Sequence, residues 1–364
     1  MIPLIVDLEM EWRGGQNQAL LLLKGLYERG HAAELVAAKG SSLGHRARKA
    51  HICVHHVSRG MLQLSAAARI RSILLDERIE LVHANEAHAV TAAWLAGASR
   101  KVPFVISRRV GYPLGQSWIA QARYRAASCI VANSRWVADQ AVASGAPRDK
   151  LRVAYEGVVI PERTAPELRM AARHRWGVAG DVPLLGCVGV LLPDKGQEWL
   201  IRALLEVRKE FPGARLMLAG DGPMRKELEA LAKTLGLSDA VIFVGFVKDV
   251  ESVYAALDVF LLPSFFEALN NSLLAAMAHA IPSIAFRRGA LAEIIEDGKS
   301  GLIVSGPETQ EICEAVARIL RDRDFAGRLG EAARVRVTEN FSADSMVERM
   351  VEIYDQLLQG RTAI

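Results

Sequence analysis

The sequence predicts an α/β protein built from two doubly wound, Rossmann-like domains. Short apolar runs rich in Val, Ile and Leu alternate with helix-like stretches from end to end, the signature of parallel sheet with crossover helices. That alternation breaks once, at the proline- and charge-rich stretch PERTAPELRM, and then restarts. At 364 residues, 51% of them hydrophobic, the chain also exceeds what a single core usually serves.

In the first half the strand candidates are PLIVDL, AELVAA, CVHHV, LVHAN, PFVISR, CIVANS and LRVAYE, with helices fitting between them. Beyond the break they are PLLGCVGV, RLMLAG, VIFVGF, VFLLPS, PSIAF and GLIVS. After residue 306 only helical pattern remains, ending in a run from about Ser342 to Leu358 in which Met346, Met350, Ile353 and Leu357 recur at helical spacing. The expected domains are 1–162 and 168–340, and PERTAPELRM reads as the linker. In doubly wound sheets ligands bind beyond the C-terminal ends of the strands. Two such domains are therefore expected to face an inter-domain cleft, with the chemistry in strand-to-helix loops.

Composition excludes several classes. Four scattered cysteines, with no Cys-x-x-Cys pair and no histidines at metal-ligand spacing, argue against a disulfide framework or a zinc site. A reducing cytoplasm is expected. The opening MIPLIVDLEM has no basic lead and soon turns acidic, which argues against a signal peptide, and no apolar run approaches about 18 residues. The net charge of +4 hides a basic first half and an acidic second half, so the first half is expected to meet an anionic partner. Basic residues without an aromatic stacking motif or a recognised module disfavour nucleic acid.

Several loops could carry chemistry. In EWRGGQNQ, Gly14 and Gly15 permit close backbone approach ahead of a helix whose free N–H groups favour an anion; a plain tight turn serves equally. After LVHAN come His83, Asn85 and His88, which can orient hydroxyls or a phosphate. The alternative is that His83 is a satisfied core histidine and His88 lies on a helix surface. Arg108 and Arg109 close the next strand, where planar guanidinium forks suit phosphate or carboxylate, or merely a solvated face. In GVLLPDKGQEWLIRAL, Lys195 and Gly196 precede a helix, so an ammonium and free amides can share one phosphate. In LAGDGP, Pro223 is expected as the first helical residue. In EALNNSLLAAMAHAIP, Glu267 follows the run VFLLPS, and Asn270 or Asn271 caps the helix behind it. That loop aims a carboxylate and unpaired N–H groups at one space; Glu267 could instead serve only the helix dipole. Ala275, a turn further on, offers no polar chemistry.

Taken together, GGQNQALLLLKGLYERGH, ANSRWVADQAVASGAPRDKLRVAYEGV, GVLLPDKG, LAGDGP, VIFVGFVKDVESVYAALDVFLLPS, EALNNSLLAAMAHAIPSIAF and GALAEIIEDGKSGLIV resemble the retaining GT-B glycosyltransferases of family 4. Each motif is weak alone; their order covers nearly the whole chain. The resemblance implies a nucleotide diphosphate sugar held mainly by the second domain and an acceptor held mainly by the first. It also implies a final helix, about 342–360, that crosses back to the first domain. Catalytic roles fall on Glu267 and Lys195. Donor contacts are implied at Gly14, Gly15, Val190, Lys195, Gly245, Phe246, Val247, Glu267, Ala268, Leu269, Asn270, Asn271 and Ala275, and acceptor contacts at His83, Asn85, His88, Arg108 and Arg109.

Three positions depart from the family pattern. Ala275 stands where a second glutamate clamps the ribose, Val190 where an arginine neutralises the diphosphate, and Asn85 where a histidine lies near the sugar. The expected activity is transfer of a sugar with retained anomeric configuration to a glycan or glycolipid of the cell envelope, with no resident metal or cofactor. The basic GHRARKAH and the stretch MLQLSAAARIRSILLDER suggest contact with an anionic membrane surface, though an amphipathic core helix explains the latter equally. The alternatives are a degenerate sugar-nucleotide or glycan binding protein without turnover, or an epimerase or phosphorylase on the same architecture.

Overall fold

The computed structural model describes residues 1–58 and 60–362. The chain divides at Gly157 and again at Phe341: Met1–Gly157 and the residues from Ser342 onward form one unit, Val158–Phe341 the other.

The first unit alternates β1 (Pro3–Asp7), α1 (Gly14–Glu28), β2 (Glu34–Ala38), α2 (Ser42–Lys49), β3 (Cys53–Val57), α3 (Leu62–Ile73), β4 (Leu81–Ala84), α4 (Ala87–Leu95), β5 (Phe104–Arg108), α5 (Trp118–Ala126), β6 (Cys129–Ala132), α6 (Arg135–Ala143) and β7 (Leu151–Val153). The seven strands lie in the order β3-β2-β1-β4-β5-β6-β7, all parallel. β1, β2 and β4 are buried throughout, which is why they read as apolar runs rather than alternating ones, interrupted only by the buried Asp7, Glu34 and His83. Side-chain caps start several helices: Ser41, Ser117 and Ser134 accept from Gly44, Ala120 and Val137 N–H, satisfying amides that have no intrahelical partner.

The second unit runs α7 (Pro166–Arg175), β8 (Leu184–Val188), α8 (Gln197–Glu210), β9 (Arg215–Ala219), α9 (Arg225–Thr234), β10 (Val241–Gly245), α10 (Glu251–Ala256), β11 (Val259–Leu262), α11 (Asn271–Ala278), β12 (Ser283–Phe286), α12 (Leu291–Ile294), β13 (Leu302–Val304), α13 (Thr309–Arg321) and α14 (Arg323–Asn340). Its six parallel strands are ordered β10-β9-β8-β11-β12-β13. The last helix, α15 (Ala343–Thr362), belongs to the first unit. Its Met346, Val347, Met350, Ile353 and Tyr354 are buried with Leu22, Leu23, Leu26 and Val131. At the closest point a Cβ on Gly25 would stand 2.5 Å from Val347 Cγ2.

All thirteen strand runs form, and four readings change. The expected linker is half helix, because Pro166 at the first position pre-sets the backbone of α7; the division instead falls at Gly157, ahead of that stretch. Gly14 and Gly15 open α1 rather than a preceding loop. Pro223 stands outside α9, which starts at Arg225 behind Met224. β11 stops at Leu262, leaving Pro263 and Ser264 in the loop, since Pro cannot donate to the ladder.

Candidate active site

Each unit has a topological switch point, where strand order reverses and helices leave on opposite faces: between β1 and β4 in the first, between β8 and β11 in the second. The second is the richer. The loop after β8 carries Lys195 and the loop after β11 carries Glu267, and Lys195 Nζ lies 2.8 Å from Glu267 Oε1. Glu267 is only 6% exposed, while the Lys195 side chain keeps a quarter of its surface open. Asn270 caps α11 by accepting from Leu273 N–H at 2.8 Å. Its amide donates to the same Glu267 Oε1 at 3.0 Å. One carboxylate oxygen thus takes a cation and an amide, beside the positive end of a helix.

Backbone contacts hold the surrounding loops in register. Phe265 N–H donates to Asp194 O and Ala290 N–H to Glu267 O. Gly196 at φ 66° and Gly289 at φ 54° sit where a Cβ would come within 2.3 Å of Pro263 O and 2.0 Å of Glu267 O, respectively. Both positions combine a left-handed backbone with a close approach, which only glycine meets without strain. Gly220 N–H donates to Gly245 O, linking the ends of β9 and β10. Cys187 on β8 lies close enough to feel Glu267, and burial first, then that carboxylate, pushes its thiol up to about 12.

The other second-unit positions expected to contact a donor lie in the loops after β8 and β11, at the end of β10 and just beyond it, and in α11. Val190 is 53% exposed, and its carbonyl accepts from Gln197 Nε2 at 3.0 Å. Phe246 is exposed after Gly245, with Val247 following it in the same loop. Ala268 and Leu269 lie in the Glu267 loop, Leu269 buried. Asn271 opens α11, and Ala275 is half-buried within it.

The first switch point is built from polar side chains that mostly satisfy one another. Asp7, at the end of β1, is fully buried and accepts from Asn85 Nδ2 (2.6 Å), Gln16 Nε2 (3.0 Å) and Glu9 N–H (3.1 Å). Burial raises its pKa, and those hydrogen bonds only partly oppose the shift. Glu86 caps α4 through Ala89 and His88 N–H and also accepts from Leu8 N–H. Arg109 donates to Asn85 O at 2.8 Å and pairs with Glu156 at 3.1 Å. A cavity of about 20 Å³ lies among Gln18, His83, Ser107, Arg109, Asn133 and Glu156, room for one water.

Two of the residues expected to meet an acceptor have partners inside the protein. His83 is 1% exposed, with Nδ1 2.5 Å from Tyr354 Oη and Nε2 2.7 Å from Ser107 Oγ; both ring nitrogens are spent inside the protein. Asn85 spends its amide on Asp7 and on Gly15 O. For His83 this is the satisfied core histidine that the sequence left open, and for Asn85 the amide nitrogen is held by its neighbours. Arg108 donates to Tyr112 O and Tyr124 Oη, and His88 is exposed with Nδ1 2.8 Å from Gln63 Nε2. Sequence reasoning missed Asp7, Gln16, Glu156 and Tyr354, which carry no motif signal, and Gly289, whose contact with the Glu267 loop is long-range.

Two doubly wound parallel sheets, with a lysine and a carboxylate meeting at the second switch point, define the class of architecture: a two-domain α/β protein with its richest polar cluster at a strand-to-helix crossover. The crystal structure of Anabaena HepE in complex with UDP superimposes with a TM-score of 0.85, covering 98% of this chain and 100% of that one at 23% identity, a likeness of fold. Residues 12–160 match the model of Glycosyltransferase Family 4 and residues 182–322 that of Glycosyl transferases group 1. A GDP-mannose-dependent alpha-(1-6)-phosphatidylinositol monomannoside mannosyltransferase of Mycobacterium tuberculosis is 30% identical over 320 residues, 82% of each chain. The lipopolysaccharide core biosynthesis glycosyltransferase LpsE of Rhizobium meliloti is 28% identical over 286 residues, 77% of this chain and 80% of that one. The chain belongs to the family 4, group 1 glycosyltransferases, and it is a transferase.

Proposed function

We propose that the chain transfers a sugar from a nucleoside diphosphate sugar to a glycan or glycolipid acceptor with retention of anomeric configuration. The observation that carries this reading is the pairing of Lys195 with Glu267 beside the N-terminus of α11, at the β8/β11 switch point. A bound diphosphate takes the ammonium and the free helix amides, and Glu267, released from Lys195, accepts from sugar hydroxyls. The anomeric carbon then parts from the diphosphate oxygen while the acceptor oxygen bonds to it on the same face, and the acceptor proton passes to the departing phosphate. The protein's part is to position both partners and to stabilise the negative charge that grows on the leaving group. Donor and acceptor classes follow the relatives: one is named as GDP-mannose-dependent, another as a lipopolysaccharide core enzyme.

A glycolipid acceptor and an anionic membrane surface fit the basic first unit. His45, Arg46, Arg48 and Lys49 of α2 are exposed, as are the apolar Met61, Tyr112 and Trp118. By contrast α3 buries Ala66, Ala67, Ile70 and Ile73, so it is chiefly a core helix. No described helix is long and apolar enough to cross a membrane.

The test is to incubate the protein with uridine and guanosine diphosphate sugars, follow binding by calorimetry, and read the anomer of the released or transferred sugar by NMR. An anomer-retained product, with binding weakened about 10–100-fold in Lys195→Gln for one lost charge-assisted contact, supports the reading. An inverted product, or nucleotide affinity indifferent to Lys195, sinks it. Ala275→Glu is expected to tighten nucleotide binding by restoring an acceptor for the ribose hydroxyls.

A further inference from the structure

The outer edge of the first sheet carries a second chemical cluster, which glycosyl transfer does not use. β3 is an edge strand, and Cys53 and His55, two residues apart, point to the same face of it. On the neighbouring strand Glu34 is in register with Cys53, and Val36 with His55. Three different donor types therefore meet on one face. His55 Nε2 lies 2.6 Å from Glu34 Oε2 and 3.9 Å from Cys53 Sγ, and all three donor atoms fall within 4.8 Å of one another. Glu34 is buried, with its other oxygen 3.6 Å from Arg78 Nη1. The cluster sits toward the N-terminal ends of β2 and β3, the opposite end of a parallel sheet from Asp7, Asn85 and Arg109.

We propose that Glu34, Cys53 and His55 form a binding site for a divalent cation of the zinc class, with water in the fourth position, stapling the edge strand to its neighbour. Tetrahedral zinc held by one sulfur, one nitrogen and one oxygen needs donor separations of about 3.3–3.6 Å. The sulfur–nitrogen distance must close by a few tenths of an ångström, and the glutamate must swing out by somewhat more. A thiolate with an imidazole selects zinc-like ions over magnesium or calcium. Binding releases one proton, from the thiol; the single hydrogen of the neutral His55 ring moves from Nε2 to Nδ1, which frees Nε2 for the ion. Thiolate and carboxylate together balance the charge of the ion, while Arg78 remains on the outer oxygen of Glu34 as its orienting partner.

The linear pattern argued against a metal site because the third ligand comes from another strand, which only sheet register brings alongside. One neighbour opposes the site in a way that can be tested. Arg69, exposed on α3, places Nη2 3.0 Å from His55 Nδ1, so it donates to the nitrogen that must carry hydrogen once metal occupies Nε2. Arg69 has to turn away into water, and removing it is expected to tighten binding.

The experiment is a titration of the chelator-treated full chain with Co²⁺, then Zn²⁺. One equivalent of cobalt is expected to give thiolate-to-cobalt charge-transfer absorption and the visible bands of a tetrahedral ion, which zinc bleaches while raising the melting temperature. Cys53→Ser is expected to abolish the charge-transfer band and weaken binding about 10–100-fold, and Arg69→Ala to tighten it about tenfold. The proposal fails if the band is absent, if it survives in Cys53→Ser, or if Arg69→Ala binds cobalt no better than the unaltered chain. The Arg69 variant keeps the test decisive should Cys53→Ser fold poorly.

Discussion

His83 shows how much a single buried ring can say. Burial first, and the nearby Arg109 second, hold its pKa down to about 3, whereas an unfolded histidine titrates near 6.5. The folded chain thus refuses a proton that the unfolded chain accepts. The resulting stability is fully present above about pH 6.5 and drains away as pH falls toward 3, at a slope reaching about 1.4 kcal/mol per pH unit. Between pH 6.5 and 5 this one group removes about 1–2 kcal/mol. Urea midpoints of His83→Gln are therefore expected to fall less steeply over that window than those of the unaltered chain; parallel slopes would assign the loss to other groups. Asp7 has the opposite sign, because burial raises its carboxyl: its contribution is whole below the ordinary aspartate pKa and is lost as pH rises through the folded value.

At the level of elements, the contact between α1 and α15 is the tightest test of packing. Val347 is stiff at χ1 in a helix, and a methyl at Gly25 would stand 2.5 Å from it. Gly25→Ala gains helix propensity but overpacks, so a net loss of about 1–2 kcal/mol is expected in chemical denaturation. Adding Val347→Ala, which makes room, should recover most of it, and two independent losses that merely add would contradict the contact. The strands and this helix were legible in the sequence because β1, β2, β4 and the Met346–Leu357 stripe each bury one continuous apolar set. The starts of α1, α7 and α9 were less legible: at Gly14, Pro166 and Pro223 local signals for turn and helix coincide, and only the surrounding packing chooses between them.

On the scale of the whole chain, each unit has its own core. Leu185, Leu200, Leu216, Val259 and Ile284 belong to that of the second, whereas the first borrows Met346, Val347, Met350, Ile353 and Tyr354 from the far end of the sequence. Residues 158–341 expressed alone are expected to unfold cooperatively and to bind UDP or GDP with the same dependence on Lys195 as the full chain, read by calorimetry. Residues 1–341 are expected to show the opposite behaviour in the first unit: without α15, its amides should exchange hydrogen rapidly while those of the second unit stay protected. Equal protection in both units would mean that the final helix is dispensable to the first core.

By itself the sequence determined the class of fold, the thirteen strands, the loops that carry Lys195 and Glu267, and the resemblance that places the chain among the glycosyltransferases. These are properties of local period and short motifs, which a linear text records. Only the tertiary structure decided that Lys195 and Glu267 touch, that His83 and Asn85 are consumed by Tyr354, Ser107 and Asp7, and that Glu34 stands beside Cys53 and His55. Hydrogen-bond partners and strand register join residues far apart in the chain, and no period or spacing encodes which of them will meet.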